Sequence, residues 1–185
     1  RSNCHPFRHG RWLWMHNGSV ASYPDLKRDL MMAVDPSLYA DIEGSTDSEN
    51  LFFLALTFGL TDDPVTGVER AVGFVEDVAR RRGVEHPVQM TVATTDGVSM
   101  WAFRYSSEGR TRSLFYSTDV AKLRELHPEV KVLNRLGTET RVVVSEPLRD
   151  LSGAWNEVPE SSCGIVRPGA DEIRPFRPES AAVPG

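Results

Sequence analysis

The segment VQMTVATTDGVSMWAFRY, residues 88–105, constrains the fold more than any other stretch of this chain. Two runs rich in β-branched, aromatic and other apolar residues flank Asp96-Gly97. Asp-Gly between such runs signals a tight hairpin, because both residues tolerate the positive φ that the turn demands. Antiparallel sheet is therefore required. More strand-like runs follow: TRSLFYST, TRVVVSEPL, WNEVPESSCGIVRPG and DEIRPFRP, with one short helical run, DVAKLREL, among them.

The residues before the hairpin follow a different period. In SYPDLKRDLMMAV, Ser22 is placed to cap a helix, Pro24 lies in its first turn, and Leu26, Leu30 and Ala33 form its inner face. STDSENLFFLALTFG has capping-box spacing at Thr46 and Glu49, Gly59 at a C-cap position and apolar residues on most sides, so it predicts a deeply buried helix. DPVTGVERAVGFVEDVARRRG places Val68, Ala71, Val72, Val75, Val78 and Ala79 on one face and charges on the other. RWLWM reads as a buried strand, with SNCHPFRHG before it as a loop. A strand, then helices, then antiparallel strands make an α+β protein. Residues 1–176 form one unit, and 177–185 are expected to be a disordered tail.

Charge and cysteine content narrow the function. The 185 residues carry a net charge of −5 and no long Lys/Arg tract, which argues against nucleic-acid binding. The basic run ARRRG, residues 79–83, falls at a helix end, where it offsets the dipole. Two cysteines, Cys4 and Cys163, fit neither a disulfide scaffold nor a metal spacing, so a cytoplasmic protein is expected. No apolar run reaches the ~20 residues that span a bilayer. The chain begins at Arg1 rather than Met, so it is expected to start partway through a longer protein.

Three short motifs can carry chemistry. In His16-Asn17-Gly18, Asn-Gly is ordinarily a turn. Here the preceding run is apolar enough to be a central strand, and a helix follows rather than a partner strand. A buried strand end that presents an Asn amide and a Gly N–H is a two-donor site for a developing oxyanion. In GSTDSEN, Asp47 belongs to the first turn of a helix, favoured by the dipole and open to a ligand ammonium. In NCHPFRHG, Cys4 and His5 are neighbours that point opposite ways in an extended chain, which weakens a Cys-His nucleophile. His5, His9 and His16 match no metal-ligand spacing. His86 and His127 each precede a proline and read as loop residues.

NCHPF, then HNG, then STDSE in this order resemble the glutaminase domain of class II glutamine amidotransferases, in the N-terminal-nucleophile hydrolase superfamily. The stand-alone members are most similar, and VVVSEPL followed by WNEVPESS resembles their closing strands. The resemblance runs from Asn3 to about Arg167 and implies a four-layer αββα sandwich, here incomplete at its N-terminus. It also implies a thioester mechanism: an N-terminal Cys, with its own α-amino group as base, attacks the glutamine side-chain amide. Asn17 and Gly18 would hold the oxyanion and Asp47 the substrate α-ammonium, with His5, His16 and Ser48 in support. No cofactor or metal is implied.

This chain has no Cys at its first position, and the family's carboxylate-binding Arg belongs to a strand that precedes Asn3. The expectation is thus a fragment, inactive alone, of an enzyme acting on glutamine or a γ-glutamyl amide. It would need its missing N-terminal segment and could serve an ammonia-accepting partner protein, without nucleic acid or membrane. A non-enzymatic subunit that binds γ-glutamyl compounds is the alternative from another class. A hydrolase using Cys4 is a third.

Overall fold

The structure, a computed structural model, describes residues 3–138, 140–147 and 153–183. Arg1, Leu148 of the VVVSEPL run and the last two residues of the expected tail lie outside them. Strands β1 (Phe7–His9) and β2 (Trp12–Val20) are followed by helices α1 (Tyr23–Met32), α2 (Asp47–Thr57) and α3 (Pro64–Arg81). The predicted hairpin is β3 (Val88–Thr95) and β4 (Met100–Ser106). Next come β5 (Phe115–Ser117), α4 (Val120–Leu126), β6 (Val143–Val144), β7 (Trp155–Glu157), β8 (Ser162–Val166) and β9 (Asp171–Pro175). A six-stranded sheet has the order β1-β2-β3-β4-β8-β9, and a smaller sheet has the order β6-β5-β7.

Strand alternation sorts the core. On β2, Trp12, Trp14, His16 and Val20 are buried, while Leu13, Met15 and Asn17 face outward. Trp14 stacks on Phe52 of α2, with ring centroids 5.6 Å apart, so the buried face of the large sheet is the helix face. Phe103 and Trp101 of β4 and Ile165 and Cys163 of β8 continue that core. Ala102 points the other way, into a second cluster with Leu114, Tyr116, Val158 and Val166 that seats the small sheet over β4 and β8. Val120 and Leu123 of α4 pack with Leu133 and Ala154 beside that sheet.

Four local expectations change. SNCHPFRHG is not all loop: Phe7–His9 pairs with Trp12–Trp14, and Gly10 turns between them at φ 55°. Three residues with one apolar side chain are too short a signal to read as a strand. HNG does not end β2 either. The strand continues to Val20, paired with β3 from Leu13↔Thr95 to Val20↔Val88. Ser22 stands before α1 in the left-handed region at φ 54°, and its side chain makes no cap bond. Of the expected tail, residues 177–183 are described, and they run along α3. The Arg177 N–H donates to the Glu69 carboxylate at 2.6 Å, and the Ser180 hydroxyl donates to Asp77. A Cβ on Gly73 would meet the Glu179 carbonyl at 1.9 Å, so glycine is what lets this segment lie on the helix.

Candidate active site

The first turn of α2 organises the site. Thr46 Oγ1 accepts the Glu49 N–H at 3.2 Å, which is one half of a capping box. Glu49 does not complete the other half. Its carboxylate reaches back to the N–H groups of Glu43 at 3.0 Å and Gly44 at 2.7 Å, fixing the loop that enters the helix. Tyr23 donates its hydroxyl to the Thr46 carbonyl at 3.2 Å, and the Ser45 N–H donates to the Asn3 side chain at 3.0 Å.

Two hydrogen bonds join this turn to β2. The Val20 N–H donates to Asp47 Oδ2 at 2.8 Å. His16 Nδ1 lies 2.8 Å from Ser48 Oγ. The other Asp47 oxygen, Oδ1, accepts the Ser48 N–H at 2.8 Å. Among the described residues, Asp47 forms no ion pair. Its charge is thus held by neutral donors at the positive end of a helix.

Gly18 is required by contact. A Cβ there would fall 1.9 Å from the Gln89 carbonyl oxygen and 2.7 Å from His16 Nε2. A glycine inside a strand is the sequence signal for such a close approach. Asn17 lies on the exposed face of β2, and its carbonyl accepts the Thr91 hydroxyl at 3.1 Å.

Burial pulls the His16 pKa from 6.5 down to about 4, against the opposing pull of Asp47 and the Gln89 carbonyl. The ring is therefore neutral at pH 7. His5 is lowered for the same reason, with Asp47 opposing the shift. The three motifs NCHPF, HNG and STDSE thus meet at one place. The sequence did not reveal the roles of the Val20 N–H, Tyr23, Asn3 and the Gln89 carbonyl, which act through backbone atoms or distant pairings.

Cys163 is buried in β8, where burial pushes its pKa up, and Cys4 is exposed before β1. Among the described residues no group of three or more His, Cys, Asp or Glu could hold a metal ion. None of their helices is long and apolar enough to cross a membrane. Clefts of about 800 and 450 Å³ open near the β3–β4 turn and beside Trp12, and neither is lined by Asn17, Gly18 or Asp47.

Among solved structures, the glutamine aminotransferase class-II domain protein SPO2029 from Silicibacter pomeroyi superposes with a TM-score of 0.82 at 32% identity, covering 96% of this chain and 73% of that one. The chain belongs to the class-II glutamine amidotransferase family. The probable glutamine amidotransferase DUG3 of Saccharomyces cerevisiae is 28% identical over 188 residues, a match covering 90% of this chain and 52% of the yeast protein. The chain therefore spans about half the length of that curated relative. The glutamine phosphoribosylpyrophosphate amidotransferase of B. subtilis shares the fold, with a TM-score of 0.59 at 16% identity over 97% of this chain and 33% of that one. No family model matches the chain.

Proposed function

We propose that this chain carries the oxyanion site and the α-ammonium anchor of a glutaminase domain that hydrolyses glutamine or a related γ-glutamyl amide. The observation that carries the reading is the pair of bonds, His16 to Ser48 and Val20 to Asp47, that draws HNG and TDSE into one site. The nucleophile is an N-terminal Cys outside these residues. Its sulfur bonds to the side-chain amide carbon while its α-amino group takes the thiol proton. Negative charge then collects on the amide oxygen. The Asn17 amide donates to that oxygen. The Val20 N–H points off the outer edge of β2, and strand alternation puts the Gly18 N–H on the same edge as a second donor. The α-amino group returns its proton to the leaving nitrogen, ammonia departs, and water cleaves the thioester to glutamate.

Asp47 pairs with the substrate α-ammonium, a charge-assisted bond contributing about 1.5–3 kcal/mol. His5, His16 and Ser48 support these groups. Helices over a large sheet, with a smaller sheet beneath and α4 beside it, support a four-layer αββα sandwich for the complete domain. Residues 1–176 belong to that domain in a cytoplasmic protein, and the ammonia is released or passed to a partner protein.

Steady-state glutamate release by the full-length protein tests the reading. Asn17→Ala is expected to lower kcat by roughly 10²–10³. Asp47→Asn is expected to raise KM for glutamine by at least about tenfold, as for a loss of ~1.4 kcal/mol. Full activity in either variant would sink the assignment of that residue. Saturable glutamine binding with no turnover by the full-length protein would instead favour a binding subunit.

A further inference from the structure

Taking Asp47 as the ammonium anchor, we infer that His16 and Ser48 are positioning residues that set the span between that anchor and the oxyanion donors. Glutamine presents its α-nitrogen and its amide carbon at opposite ends of a flexible chain. A site that reads both ends must hold two groups from different elements at a fixed separation. A misplacement of about 1 Å can cost on the order of 10² in rate.

The structure contains a device of this kind. Asn17 and Gly18 lie on β2 between two cross-links to α2, His16 to Ser48 on one side and Val20 to Asp47 on the other. The Val20 link is a backbone donor to a carboxylate, and a carboxylate alone can swing about its side-chain torsions. The His16 link reaches the next residue of the same helical turn, so it fixes the turn and not only the carboxylate. That turn is stiff, because Thr46 caps it and Glu49 ties down its entry loop.

His16 is equally confined. Its Nε2 sits in the space left by the missing side chain of Gly18, beside the Gln89 carbonyl. The ring is only 7% exposed, and its buried Nε2 faces the Gln89 backbone carbonyl. Neutral imidazole can serve Ser48 Oγ as donor or acceptor without adding a like charge beside the substrate ammonium. Simple helix–strand packing would not need this polar pair. It would lower activity on every substrate equally if lost. A positioning role makes a sharper demand: the loss must be greatest for substrates that use the anchor.

The test compares glutamine with glutaramate, the same amide lacking the α-amino group, in the full-length protein. Ser48→Ala is expected to lower kcat/KM for glutamine about tenfold more than for glutaramate, mainly through KM. Ser48→Thr, which keeps the hydroxyl, should recover most of the difference. In an Asp47→Asn background, Ser48→Ala should add no further glutamine-specific loss. His16→Ala, read by the same ratio, is a second variant should Ser48→Ala fold poorly. Equal losses on the two substrates in Ser48→Ala or His16→Ala would overturn the inference. If Asp47→Asn keeps the wild-type preference for glutamine, the anchor assignment falls, and the inference with it. If Asp47→Asn loses the preference while Ser48→Ala and His16→Ala keep it, the inference alone falls.

Discussion

His16 shows how much one residue's surroundings decide. The same imidazole on a surface would titrate near pH 6.5; here burial holds its pKa near 4. Because the folded pKa lies below the unfolded one, the unfolded chain takes up the proton first as pH falls through 6.5, and the native state loses stability until about pH 4. This residue is expected to contribute roughly 2 kcal/mol of destabilisation between pH 7 and pH 5. Urea midpoints at the two pH values, compared with His16→Gln, measure it; the variant should show a shallower decline, although lowered carboxylates such as Asp96 contribute in the same direction. Gly18 is a second case. Gly18→Ala must displace the Gln89 carbonyl, which is backbone and cannot swing aside. A cost of roughly 1–3 kcal/mol is expected, read from thermal unfolding, with loss of the proposed glutaminase activity because the strand carrying Asn17 shifts.

At the scale of elements, β2 has two faces with opposite consequences. Trp14 is fully buried against Phe52, so Trp14→Ala should cost about 3–5 kcal/mol. Met15, next to it, is 54% exposed, and Met15→Ser should change stability by no more than ~0.5 kcal/mol. Denaturant titration of both variants checks the alternation directly. Helix α3 offers a third comparison. Gly73→Ala would collide with the Glu179 backbone, whereas alanine is otherwise the better helix former. Loss of stability by about 1–3 kcal/mol is expected, and removal of residues 177–185 should reverse its sign. A destabilising Gly73→Ala in that shortened chain would argue that the segment does not lie on α3.

At the scale of the whole molecule, the described residues hold the proposed oxyanion donors and carboxylate anchor, while one thiol is buried and the other is exposed in the loop before β1. Because the proposed nucleophile lies outside these residues, the isolated 185-residue chain is expected to release no glutamate from glutamine in a coupled dehydrogenase assay. Measurable turnover by the pure chain would require a nucleophile among its own residues and would overturn the proposed mechanism. The large sheet also leaves Leu13 and Met15 outward on β2, where the small sheet does not reach, because its cluster sits over Ala102 and Val166.

The sequence alone determined the elements whose signals are local. The cap of α2 by Thr46 and the hairpin around Asp96-Gly97 are of this kind, because each depends on residues a few positions apart. It also offered Asn17, Gly18 and Asp47 as site candidates, since their motifs stand in a recognisable order. Tertiary structure decided the rest. β2 continues through Asn-Gly because β3, some 70 residues later, supplies a ladder of hydrogen bonds that outweighs the turn preference of that pair. Glu49 leaves its capping position for the Glu43 and Gly44 N–H groups because the folded loop brings those donors to it. The clamp of His16 on Ser48 joins residues 32 positions apart. Local propensity is readable from neighbours in the chain, but the distance between two ends of a site depends on which surfaces pack together.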